Sequence, residues 1–151
     1  MEINFRVAEP ADLAILLTFM REYYEFDHLP FEEEVARTAL TKFLNDQTLG
    51  QIWLIEVETE AVGYVALTLG YSLEYHGRDA FIDEIYIRES HRGQGMGTKA
   101  LALAEAAARS LGVNALHLEV ERENTKAQSV YHKFGFEDHD RYLMTKWLGK
   151  K

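Results

Sequence analysis

A chain of 151 residues without a cysteine has the length of one domain with a real core, and it excludes disulfides, thiolate metal sites and a cysteine nucleophile. Its 25 acidic residues against 16 basic ones leave a formal charge of −9, which argues against a nucleic-acid partner and suits a cationic one. No run approaches the ~18 apolar residues of a membrane span, and no signal peptide opens the chain, so a soluble cytoplasmic protein without a membrane partner is expected.

Ile3 to Ala8 alternates as a short strand, and Pro10 with Asp12 marks a helix start. Leu13, Leu16, Leu17, Met20, Tyr23 and Tyr24 recur at three- and four-residue spacing, an apolar stripe that predicts a helix to about residue 25. Phe26 to Pro30 breaks it. Residues 31 to 45 read as a second amphipathic helix with Phe31, Val35, Leu40, Phe43 and Leu44 inward, and the Glu32–Glu34 run complements the dipole of its first turn. Gln51 to Val57 and Ala61 to Tyr71 predict two strands joined at Glu58-Thr59-Glu60, with Gly63 marking a bulge or a close backbone approach.

Ser72 to Ala80 reads as a polar loop, followed by the strand Phe81 to Ile87. A helix over 95–111 holds six alanines between Ala100 and Ala108, small enough to lie close on a sheet, and pairs Glu105 with Arg109 on its wet side. Leu116 to Val120 predicts a buried strand, 124–134 a helix and Arg141 to Trp147 a last strand. There are no repeats or linkers, so residues 1–151 are expected to form one domain of α/β class, with a mixed sheet between layers of helices.

The junction of strand and alanine-rich helix carries the chemistry. Gly93, Gly95 and Gly97 alternate in Arg92-Gly-Gln94-Gly-Met96-Gly-Thr98, so backbone N–H groups at the positive end of the helix are open to a pyrophosphate, with Arg92 adding a fixed charge. The same stretch fits Gly-x-Gly-x-x-Ala through Ala100, with Glu119 downstream, as in dinucleotide-binding folds. Five polar residues, Arg88 to Arg92, separate the strand from the glycines and weigh against that reading. Asp83 and Glu84 are adjacent carboxylates in an apolar strand; neighbours face opposite ways unless a bulge turns both to one side. Tyr131 lies on the helical stripe of Ala127, Val130 and Phe134, and Asn124 sits at the entrance of that helix as a cap. The six histidines show no ligand spacing, and no metal is expected.

Arg92-Gly-Gln-Gly95-Met-Gly97, followed by Asn124…Tyr131…Gly135-Phe136, resembles the acyl-CoA loop and following helix of the GNAT superfamily of N-acetyltransferases, and the order of elements matches across essentially the whole chain. The resemblance implies a GNAT-type three-layer fold with a mixed, mostly antiparallel sheet. It implies acetyl-CoA as cosubstrate, held by Arg92, Gly93, Gln94, Gly95, Met96, Gly97 and Thr98, with main-chain groups of Tyr86 and Ile87 along the pantetheine, Asn124 on its amides and Lys133, with Lys126, near the phosphates. It further implies Tyr131 as proton donor to the departing thiolate, and Glu84, or else Asp83, as the carboxylate that binds the amine or relays its proton. The acceptor pocket would draw on Tyr24, Glu25, Asp27 and Tyr75, where aromatics beside carboxylates suit an ammonium group of a small molecule or peptide. The Ile82-Asp-Glu-Ile-Tyr-Ile87 strand and the tyrosine-rich loop before it are similar to the diamine and thialysine acetyltransferase branch. A homodimer is compatible with the resemblance. The alternative is a non-catalytic acyl-CoA sensor or partner-binding module.

Overall fold

The computed structural model describes residues 1–151 as two compact units, Met1–Glu119 and Val120–Lys151. The first is built on five strands in the order of the chain. β1 (Ile3–Val7), β2 (Gly50–Val57), β3 (Glu60–Ser72) and β4 (Gly77–Ile87) pair antiparallel, and β5 (Ala115–His117) adds parallel to β4. The sheet is therefore mixed and mostly antiparallel, as expected. A two-residue turn joins β2 to β3, with Glu58 and Thr59 at φ 50° and 75°, the left-handed conformation whose twist matches a hairpin.

Helices α1 (Leu13–Phe26) and α2 (Glu33–Leu44) cover one face. Leu16, Leu17 and Phe19 of α1, Leu40 of α2, and Ile52, Leu54, Tyr64, Ala66 and Tyr86 of the sheet form one cluster. Each Leu- or Phe-sized side chain buried in this way contributes about 1.5–3 kcal/mol. Arg6 at the end of β1 fixes the entry to α1 by a two-pronged pair with Asp12, at 2.9 and 3.0 Å. Glu33 accompanies the dipole of α2 as its first-turn position suggested, and also pairs with Arg21 across to α1.

Residues of the opposite parity, among them Ile55, Val65, Leu67 and Ile82, are buried on the other face, where α3 (Met96–Ser110) packs against β3 and β4 through Met96, Ala100, Leu101, Ala104 and Ala108. Gly63 serves close approach, as expected: a Cβ there would stand 2.0 Å from the Tyr86 carbonyl oxygen.

Three expected elements differ. β4 begins at Gly77, so the polar loop shrinks to the few residues before it. The hairpin continues through Leu69↔Ala80, Gly70↔Asp79, Tyr71↔Arg78 and Ser72↔Gly77, where the end of the sheet accepts polar side chains. β5 stops at His117, because the β4–β5 ladder ends with the pair Phe81↔His117 and Leu118 to Val120 form no strand. Arg141 to Trp147 forms no strand either. Its alternation is only a propensity, realised when a ladder partner takes the backbone groups; here Tyr142, Leu143, Met144 and Leu148 are each at least three-quarters exposed.

In the second unit, α4 (Thr125–Lys133) is capped by Asn124, whose Oδ1 accepts the Ala127 N–H at 3.1 Å. It closes with Gly135 at φ 95°, and the Phe136 N–H returns to the Tyr131 carbonyl at 3.1 Å. No helix of the chain is long and apolar enough to cross a membrane.

Candidate active site

A one-residue slip in the β3–β4 ladder decides where the acidic side chains go. Ala66 pairs with Glu84 but its neighbour Leu67 pairs with Ile82, so Asp83 is the extra residue of a bulge. Ile82 faces α3, and alternation brings Asp83 back toward α1. Glu84, opposite Ala66 of the α1-facing core, points the same way. The two carboxylates and the Tyr24 phenol accordingly feel one another's charge.

They differ in their partners. Glu84 is clamped: the Tyr24 hydroxyl donates to Oε2, and the Tyr64 hydroxyl to Oε1 at 2.7 Å. Burial raises the Glu84 pKa, the two phenol hydrogen bonds oppose that rise, and Asp83 adds to it. Burial first and the Glu84 charge second push both phenols far above their ordinary range, so they remain donors. Asp83 is exposed at the surface and has no hydrogen-bond or ionic partner, while the density of protein around it still raises its pKa. An unpaired carboxylate is thus set beside a clamped one on the same face of the sheet.

Beyond the bulge, β4 has no strand on its β5 side. The Tyr86 carbonyl approaches Gly63 and the Arg88 N–H donates to the Val62 carbonyl at 2.8 Å, so these residues turn their main chain to β3. By alternation Ile85 and Ile87 face the open edge, which places Ile87, but not Tyr86, where an extended ligand could add as a strand.

The strand leads into the glycine run. Gly93 and Gly95 sit at φ 76° and 83°, a conformation that favours glycine, and a Cβ at either would meet nothing within 4 Å. Gly95 is the N-cap of the 15-residue α3, and Gln94, Met96, Gly97 and Thr98 surround that helix start. The first-turn N–H groups of α3 therefore front open space, the arrangement that receives a phosphate. Arg92 is held beside them. Its Nε donates to the Ile87 carbonyl at 2.8 Å, and its guanidinium carbon stands 4.3 Å from the Phe26 ring centre and 5.6 Å from that of Tyr86.

Glu22 and Arg88 had no signal in the sequence beyond being charged. Arg88 binds Glu22 with two nitrogens, at 3.1 and 2.9 Å, and lies over Phe19, while the Tyr86 hydroxyl donates to the same carboxylate at 2.9 Å. The Arg88 bond holds Glu22 below the usual carboxylate range. This network fastens α1 to β4 beside the carboxylate pair. Of the expected acceptor-pocket residues, Tyr24 joins the pair, Glu25 and Asp27 are exposed at the end of α1, and Tyr75 lies against His117. In the second unit Tyr131 is half-buried with its ring 6.1 Å from Phe136, and burial raises its pKa; Lys133 ends the same helix and is exposed. No group of three His, Cys, Asp or Glu side chains is gathered closely enough to hold a metal ion.

Known proteins carry the same frame. The model of the Acetyltransferase (GNAT) family matches residues 16–136. The chain belongs to this family. As a GNAT-type N-acetyltransferase it is 27% identical over 145 residues to the thialysine N-epsilon-acetyltransferase of Mus musculus, covering 89% of this chain and 84% of that protein. An integron cassette protein from the mobile metagenome of Cole Harbour Salt Marsh shares the fold at TM-score 0.85 and 35% identity, over 97% of this chain and 91% of the other. A predicted acetyltransferase of Clostridium acetobutylicum, solved with acetyl-CoA, superposes at TM-score 0.81 and 19% identity, over 96% of each chain.

Proposed function

We propose that this GNAT enzyme moves the acetyl group of acetyl-CoA to a primary amine of a small cationic acceptor, by direct attack in a ternary complex. The observation that carries the reading is the β4 bulge. It sets the unpaired Asp83 beside the clamped Glu84, on a strand whose open edge runs into the glycine cradle. The relative of known substrate, which acts on thialysine, and the fold neighbour solved with acetyl-CoA agree with both halves of the proposal.

The N–H groups from Gly93 to Thr98 and the outer nitrogens of Arg92 would hold the pyrophosphate, and Ile87 the pantetheine arm, with Asn124 and Lys133 as further contacts implied by family pattern. Bound acetyl-CoA supplies a thioester carbonyl for the amine to attack. Asp83 seats the acceptor ammonium, where the charge lost to desolvation is regained as an ion pair. Glu84 keeps Tyr24 and Tyr64 in place around that seat. Tyr131, which burial holds protonated, donates its phenol proton to the departing thiolate.

Release of CoA thiol from acetyl-CoA should follow addition of one class among polyamines, amino acids, peptide N-termini and aminoglycosides. Gly97→Val separates cradle from fold, because a Cβ at this position meets only Ile87 Cδ1, at 3.8 Å. Its acetyl-CoA dissociation constant is expected to rise at least about ten-fold, ~1.4 kcal/mol, with an unchanged melting temperature. Calorimetric titration giving wild-type affinity would remove the glycine run from the site.

A further inference from the structure

A second polar cluster lies on the α1-facing side of the sheet and is not used by the carboxylate pair. Asp79 and Phe81 of β4 stand opposite Gly70 and Thr68 of β3, in the same parity as Ala66, and His117 of β5 stands beside Phe81. The bulge at Asp83 is what allows odd-numbered Asp79 and Phe81 to share a face with even-numbered Glu84. His117 Nε2 lies 3.1 Å from Asp79 Oδ2, and each side chain is only 15% exposed. The site is made to fit this carboxylate, since a Cβ on Gly70 would stand 2.8 Å from Asp79 Oδ1.

The imidazole is also fixed by rings. Tyr75 meets it edge-on at 4.5 Å between centres and Phe81 at 5.0 Å, while the Asn114 amide donates to the Tyr75 carbonyl at 2.7 Å and pins that loop. Asp79 is the ring's one hydrogen-bond partner, which selects the tautomer with Nε2–H donating to the carboxylate and the lone pair on Nδ1. Phe81↔His117 is the last pair before β4 and β5 part, and the Ala66–Glu84 row lies two β3 residues further, roughly 7 Å along the strand.

The chemistry of the proposed transfer leaves a task for such a group. A carboxylate that binds an ammonium stabilises its charged form and so opposes the loss of the proton that frees the nucleophile. We propose that His117, backed by Asp79, is the proton acceptor for the acceptor amine, reached through one water. The ammonium N–H bond breaks, its electron pair stays on nitrogen to attack the thioester, and the proton forms an N–H bond at Nδ1. Asp79 balances the resulting imidazolium, which returns its proton to solvent after product leaves. The groups facing this ring are Asp79 from β4, the Tyr75 phenol from the β3–β4 turn and, one row on, Asp83 and Glu84; Arg78 is turned away to the Leu111 carbonyl.

This inference rests on the transfer reading above, and the experiment separates the two. Rates would be measured against pH for the wild type and His117→Gln. The expected result is a kcat lowered at least roughly ten-fold, an unchanged KM for the amine, unchanged acetyl-CoA binding, and a pH–rate profile altered in shape from that of the wild type. Wild-type kcat and pH profile in the variant would overturn the role of His117 and leave transfer standing; a wild type inactive toward every amine would instead remove the transfer. If His117→Gln does not fold, long-range proton–nitrogen NMR of the wild type decides. A ring protonated on Nε2 whose signals respond to an unreactive amine in the presence of CoA supports the proposal, and a ring carrying its proton on Nδ1, or one that does not respond, refutes it.

Discussion

Asp83→Asn is expected to slow acetylation by on the order of a hundred-fold in kcat/KM, about 3 kcal/mol for a lost ion pair to a desolvated charge, while leaving the protein no less stable at neutral pH. The reason lies in the direction of its pKa. Burial raises the Asp83 carboxyl above its ordinary value, so its favourable share of stability is complete below the unfolded pKa and is lost as pH climbs through the folded one. At pH 7 the ionised group weakens the fold unless a cation meets it. The amide carries no such penalty, and because the side chain is open to solvent the gain should stay within about 0.5 kcal/mol. Thermal melts from pH 4 to pH 8, run beside the kinetics, check both halves. A variant that kept its rate, or that melted well below the wild type at pH 7, would deny Asp83 the acceptor seat.

Glu84→Ala should act in the opposite way, lowering stability by about 3 kcal/mol and the melting temperature by roughly 6–12 °C. The Tyr64 side chain is 1% exposed, and its hydroxyl would lose its acceptor where water cannot replace it; Tyr24 would lose its partner too. The size of the effect should depend on the phenol. In a Tyr64→Phe background the same Glu84→Ala change is expected to cost about half as much, since only the half-buried Tyr24 hydroxyl is then left without its acceptor. Urea unfolding of the four proteins in this cycle measures the coupling. Equal losses in both backgrounds would show that the clamp does not hold Glu84.

The contrast between these neighbours was only half legible in the sequence. Two acidic residues in an apolar strand ask for an explanation by composition alone, and the glycine run suggests a phosphate by its spacing. Which carboxylate is free depends on a register shift between Ala66 and Leu67, and register is a non-local property: it follows from how β3 and β4 settle along their whole length. The same limit hid Tyr64, an alternating strand residue with no mark of its polar task, and the Glu22–Arg88 pair, whose members are 66 residues apart. Tyr24 was visible because the helical stripe that places it is local. The expected strand at Arg141 to Trp147 failed for a related reason: alternation describes what a segment offers to a neighbour and is silent on whether a neighbour is there.

The bulge also sets a rule for how this strand tolerates change in length. Side chains at 79, 81, 83 and 84 can be exchanged one at a time, and each exchange alters one contact. Removing a single residue between 79 and 84 would do something different. Loss of Asp83 itself would restore strict alternation with Asp79, Phe81, Glu84 and Tyr86 all still on the α1 side, so that the bulge and its unpaired carboxylate vanish while the rest of the strand keeps its faces. The frame of the sheet is therefore indifferent to this one residue, and what its presence adds is a second carboxylate on the face that Glu84 already occupies.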